Sequence, residues 1–122
     1  MKVLLADDSD LILERLQEMA CKHRHVEIVA LCDNGTDTLE SLRMFKPDLA
    51  IVDIQMPGLS GIEVLKEIRK EDKTIKIIIL TFFASAYYRQ LALQSGADYF
   101  FNKADDFDKV SEVIGGMGSE VE

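Results

Sequence analysis

The chain alternates between two hydrophobic rhythms. Short apolar runs stand at Val3–Leu5, Ile28–Leu31, Leu49–Val52, Ile77–Leu80 and Tyr99–Phe101. Each is unbroken, rich in Val, Ile, Leu or aromatic residues, and bounded by polar positions. Unbroken runs suit strands covered on both faces, as in a parallel sheet between helix layers. Between the runs lie stripes at helical spacing. They are Ile12, Leu16, Met19 and Ala20; Leu39, Leu42 and Phe45; Ile62, Leu65 and Ile68; Tyr88, Leu91, Ala92 and Ser95; and Phe107, Val110 and Ile114.

The punctuation agrees with these elements. Asn34-Gly35 forms a turn before the second helix, and Pro47 ends it. Ser60 and Glu63 have the spacing of a capping box at the start of the third. Gly96 stands where the fourth needs a left-handed residue just past its end. Five strands and five helices in strict alternation predict an α/β fold. The expected architecture is a doubly wound, flavodoxin-like five-stranded parallel sheet of order 2-1-3-4-5. The fifth helix is expected to stop at Gly115-Gly116. Residues 1–116 then form one domain, and 117–122 a flexible C-terminal tail.

Composition narrows the function. At 122 residues the prior is one domain, with about two-thirds of its surface buried on folding. With 22 acids against 14 bases, the net charge is −8. A chain this acidic is a poor direct binder of nucleic acid or of an anionic membrane. No apolar run approaches a membrane span, and the apolar N-terminus is too short for a signal peptide. Cys21 and Cys32 lack metal-site spacing and read as reduced thiols in a cytoplasmic protein.

In an open α/β sheet, ligands bind beyond the carboxyl ends of the strands, where strand order reverses. Asp7 and Asp8 follow the first strand, Asp53 the third, Thr81 the fourth, and Asn102-Lys103 the fifth. The assumed order places strands 1 and 3 side by side, so Asp7, Asp8 and Asp53 share one crevice. Carboxylates so placed are relieved by protonation or by a cation. Oxygen ligands with open positions suit Mg²⁺. With Lys103 as a positive charge and Thr81 as a hydroxyl donor, the set fits phosphoryl transfer to a carboxylate. Taken singly, each residue has a plainer reading. A lone Asp caps a helix or makes a turn, and a lone Lys is usually a solvated side chain.

The chain resembles the receiver domain of bacterial two-component response regulators over nearly its whole length. The resemblance rests on Leu4-Leu5-Ala6-Asp7-Asp8-Ser9 and on Asp53-Ile54-Gln55-Met56-Pro57-Gly58-Leu59-Ser60-Gly61. It extends to Ile78-Ile79-Leu80-Thr81 and to Gly96-Ala97-Asp98-Tyr99-Phe100-Phe101-Asn102-Lys103. It implies that Asp53 accepts a phosphoryl group from a phosphohistidine on a sensor histidine kinase or phosphotransfer protein. Asp8 and Asp53 are then direct Mg²⁺ ligands, with Asp7 acting through water and the backbone carbonyl of Gln55 completing the site. Thr81 bonds the phosphoryl group, Lys103 pairs with it, and Phe100 is the aromatic switch. The switched surface is that of helix 4, strand 5 and helix 5. The resemblance further implies a regulatory domain, not an enzyme, that assists its own phosphorylation and dephosphorylation. Its output is a downstream effector or a C-terminal domain outside this chain, as in a longer transcriptional regulator, with a homodimer on activation as one form.

Three features depart from that pattern. Ala104 follows Lys103, where many receivers have proline. Phe82 follows Thr81, where a small residue is usual, and is expected to crowd the phosphoryl site. The early end of the fifth helix is the third. His23 and His25 read as a helix exit rather than a metal site. Tyr87, Tyr88, Phe82 and Phe83 read equally as packing or as a partner surface. No phosphate-binding glycine loop appears. The rival readings are a phosphate-independent pseudo-receiver, a flavodoxin-like domain and a phosphoaspartyl hydrolase. Asp7-Asp8 would repel a flavin phosphate, and the adjacent pair lacks the hydrolase spacing.

Overall fold

All five unbroken apolar runs become strands, and the three at the centre of the sheet are buried on both sides while the two edge strands are partly exposed. The computed structural model describes residues 1–119. In chain order the elements are β1 (Lys2–Ala6), α1 (Asp10–Cys21), β2 (Glu27–Cys32), α2 (Gly35–Phe45) and β3 (Leu49–Val52). Then come α3 (Gly61–Arg69), β4 (Lys76–Thr81), α4 (Ala86–Ser95), β5 (Tyr99–Asn102) and α5 (Phe107–Ser119). All strands pair in parallel, in the order β2-β1-β3-β4-β5. This is the expected doubly wound sheet.

Successive strand side chains point to opposite faces, so each strand feeds two cores. Leu4, Ala6, Ala50, Val52, Ile77 and Ile79 meet Leu39, Leu42, Leu65 and Ile68 from α2 and α3. Val3, Leu5, Leu49, Ile51, Ile78 and Leu80 meet Ile12, Leu16, Val110 and Ile114 from α1 and α5. The helix ends follow their sequence signals. Ser9, Asn34, Ser60 and Ser85 cap α1 to α4, and Ser60 with Glu63 forms the expected capping box. Gly96 closes α4 with φ 113°. Two stripes are less buried than expected. Phe45 is exposed at the last turn of α2, and α4 fully buries only Ala92. Tyr88 and Leu91 pack partly against the core.

The expected end of the fifth helix at Gly115-Gly116 is incorrect. The helix continues through both glycines to Ser119, and Met117 packs against the α1–α5 core. Residues 117–119 are therefore helix rather than tail, while 120–122 lie outside the described residues. The physical reason lies in the loop after α1. His25 Nε2 donates to the Ile114 carbonyl at 3.0 Å, and His23 Nε2 meets Ser111 Oγ at 3.0 Å. A Cβ on Gly118 would fall 2.2 Å from the His25 ring. The glycines thus make a smooth helix face that two half-buried imidazoles can approach. Packing outweighs the helix-weakening entropy of glycine, about 1 kcal/mol per residue.

Candidate functional site

The parallel ladder reaches one residue beyond the strands and places the site. Asp7 N–H donates to the Cys32 carbonyl, and Asp53 N–H to the Ala6 carbonyl, each at 3.0 Å. Lys103 N–H donates to the Thr81 carbonyl at 3.0 Å. These bonds fix Asp7, Asp53 and Lys103 at the carboxyl edge of the sheet. The turn after Asp53 is fixed from behind. A Cβ on Gly61 would lie 2.1 Å from the Asp53 carbonyl oxygen, so only glycine permits α3 to start there.

Asp7, Asp8 and Asp53 each offer a carboxylate oxygen, and these oxygens all lie within 4.8 Å of one another. Asp7 and Asp53 are buried, while Asp8 is exposed. Lys103, itself buried, places Nζ 2.6 Å from Asp7 Oδ2 and 2.8 Å from Asp53 Oδ2. The second Asp7 oxygen, Oδ1, accepts from the Ser9 N–H at 2.9 Å. Among the described residues, Asp53 Oδ1 is the one buried side-chain oxygen or nitrogen with no hydrogen-bond partner. An orphaned buried carboxylate oxygen is costly unless something binds it. Its place among three carboxylates fits a hard divalent cation such as Mg²⁺.

Charge balance is set by burial. Burial pushes the Asp7 carboxyl above the usual carboxylate range, against Lys103 and the Ser9 N–H, which pull it down. Burial alone would lower Lys103. Its bonds to Asp53 and Asp7 together outweigh that and raise it above the ordinary lysine range. One ammonium therefore holds two carboxylates, and the exposed Asp8 adds a further negative charge to the crevice.

The other expected residues fall at or near this edge. Asp8, Asp53, Gln55 and Lys103 share the wall of a 390 Å³ cavity. Thr81 is fully buried at the end of β4, and its Oγ1 accepts from the Phe83 N–H at 3.1 Å. The hydroxyl proton stays available for donation. Phe100 is buried in β5 beside Ile79, and its carbonyl accepts from Arg89 at 3.3 Å. Phe82 also lines the cavity, largely exposed, with its ring centroid 5.2 Å from Lys103 Nζ. The Lys103–Ala104 peptide is trans. The aromatic cluster forms in part: Tyr88 contacts both Phe83 and Tyr87, and all but Tyr88 are exposed.

Sequence reasoning missed one side chain and one backbone contact here. Arg15 lines the same cavity, and the Phe83 N–H occupies a lone pair of Thr81. The position of Arg15, seven residues after Asp8 in a helix starting at the site, was the available signal.

Comparison with known proteins agrees with this geometry. Residues 3–115 match the family model described as the response regulator receiver domain. The response regulator GacA of Pseudomonas aeruginosa is 27% identical over 113 residues, which cover 93% of this chain and 53% of that protein. A protein-glutamate methylesterase/protein-glutamine glutaminase of Methanospirillum hungatei is 30% identical over 122 residues, covering 98% of this chain and 36% of the relative. The chain thus spans about half, or less, of the length of these curated relatives. Among solved structures, a LuxR-family DNA-binding response regulator of Staphylococcus aureus superposes with TM-score 0.87 at 32% identity. That match covers 94% of this chain and 96% of the other. With residues 3–115 matched and an acidic crevice where the sheet changes direction, the chain belongs to the response regulator receiver domain family.

Proposed function

We propose that Asp53 accepts a phosphoryl group from a phosphohistidine of a sensor histidine kinase or phosphotransfer protein. An oxygen of Asp53 attacks phosphorus, the phosphorus–nitrogen bond breaks, and the imidazole leaves with the electron pair. Asp8, Asp53 and the Gln55 carbonyl would hold Mg²⁺, with Asp7 acting through water. The ion supplies neutralisation of charge on the transferring oxygens.

The observation that carries this reading is the orphaned Asp53 Oδ1, buried beside two further carboxylates while Lys103 holds Oδ2. The acyl phosphate adds acceptor oxygens that a bare carboxylate lacks. Lys103 and the Thr81 hydroxyl can donate to them. That differential contact biases a two-state equilibrium. Phe100, one strand position below the Leu80–Phe101 pair, passes the change to the surface of α4, β5 and α5. On activation that surface meets a downstream effector, an output domain outside this chain, or a second copy. The role is regulatory rather than enzymatic turnover, and water returns the aspartate to its starting state. No described helix is long and apolar enough to cross a membrane. With free cysteines and a kinase donor, we place the protein in the cytoplasm.

The test is an NMR titration with beryllofluoride and Mg²⁺. Amide shifts are expected at Thr81, Phe83 and Phe100 in the wild type, and in Thr81→Ala at residue 81 and Phe83 but not at Phe100. An unchanged wild-type spectrum would sink the proposal.

A further inference from the structure

The phosphoacceptor cavity has two cations in its wall, and only one is committed. Lys103 is buried and bonded to Asp7 and Asp53. Arg15 is exposed at the rim and forms no ion pair among the described residues. Its guanidinium instead lies over the Phe107 ring, 4.1 Å from the centroid. Phe107 is the first residue of α5 and lies outside the cavity lining, so the stack ties α1 to α5 beside the site.

Stacking uses the flat face of the guanidinium. Its N–H donors lie in the plane and point outward, free to bond an anion in a fork. The ring also limits the positions the side chain can sample, so less freedom is lost when an anion is engaged. The backbone beneath is rigid, because Ile12 and Leu16 on the same helix are buried. Arg15 is five residues into α1, about 8 Å along the axis from the helix start. It shares one cavity wall with Asp8, Asp53 and Lys103.

We infer that Arg15 is a positioning residue for the anionic phosphoryl donor, held ready by Phe107. This rests on the phosphoacceptor reading of Asp53. A dianionic donor must approach three carboxylates, and the buried lysine is already shared between two of them. A stacked arginine at the rim offsets that repulsion before the donor reaches Asp53. Water, the attacking group in dephosphorylation, is neutral and gains nothing from it. Arg15 should therefore act on loading and not on loss.

The experiment uses the whole chain with acetyl phosphate and saturating Mg²⁺. Initial loading and subsequent loss of the phosphoryl group are followed by intact mass, at low and at moderate salt. Arg15→Gln should load severalfold more slowly at low salt, as expected when one of the two cations lining an acidic site is removed. The deficit should shrink as salt rises, while the rate of loss stays at the wild-type value. Arg15→Lys should recover most of the loading rate. Phe107→Leu should fall between wild type and Arg15→Gln. Equal loading of wild type and Arg15→Gln at low salt overturns the inference and leaves the Asp53 reading standing. So does a parallel fall in loading and loss, which marks a merely structural role. A wild-type protein that takes up no phosphoryl group overturns both.

Discussion

Lys103 Nζ lies 2.8 Å from Asp53 Oδ2, and the other oxygen of that carboxylate has no partner. The same ammonium holds Asp7, so one lysine stabilises two buried acids. Removing it leaves both uncompensated. Lys103→Met should lose about 3 kcal/mol of unfolding free energy in urea at neutral pH with Mg²⁺ chelated. Asp53→Asn should lose less, because it removes one of the competing charges. A loss below about 1 kcal/mol for Lys103→Met would contradict this account of the pair. The pH sign is fixed as well. The Lys103 pKa is raised on folding, so its contribution is complete below the ordinary lysine value of 10.5 and is lost as pH climbs through the folded value.

Burial lifts Asp7 above the carboxylate value of 3.8. A raised acid takes up its proton in the folded state first. Stability gained from that proton is present below 3.8 and lost as pH rises through the folded value. Metal binding runs the other way, since it needs the ionised form. Mg²⁺ affinity should therefore weaken as pH falls, starting above the ordinary carboxylate range. Calorimetric titrations across pH should show proton release on Mg²⁺ binding. Asp7→Asn should flatten that dependence, and an unaltered slope in the variant would rule out Asp7 as its source.

Phe82 is largely exposed in the cavity wall, with Lys103 5.2 Å from its ring. It should slow access of both small phosphodonors and water to Asp53. Phe82→Ala should speed loading by acetyl phosphate and also speed loss of the phosphoryl group, each severalfold. Unchanged rates in both directions would show that Phe82 does not crowd the site.

The α5 glycine face should be equally sensitive. Gly118→Ala puts a methyl group where the His25 ring stands and should cost about 1–3 kcal/mol by thermal or urea unfolding. Adding His25→Ala should recover much of that, because the clash is with the ring itself. Additive losses in the double-mutant cycle would contradict the contact.

The layered parallel sheet was legible because the runs that become the central strands β1, β3 and β4 are apolar throughout, as strands covered on both faces are. Asp7, Asp8, Asp53 and Lys103 were legible because each lies within two residues of a strand's carboxyl end. What the sequence concealed depends on partners distant in the chain. Gly115-Gly116 looks like a helix stop until His23 and His25 bond to that helix 88 and 89 residues away. Phe45 fits a helical stripe but, as the last residue of α2, stays 38% exposed. The Phe83 N–H bond to Thr81 depends on a tight local turn that periodicity does not encode. Arg15 stacks on Phe107, a residue 92 positions later, so spacing placed it near the site but could not reveal the stack.

The central claim is that Asp53 is the phosphoacceptor. Intact mass after treatment with acetyl phosphate and Mg²⁺ tests it most directly. The account predicts one added phosphoryl group on the wild type, lost on standing with Mg²⁺ present, and none on Asp53→Asn. An equal mass gain in Asp53→Asn, or none in the wild type, would contradict it.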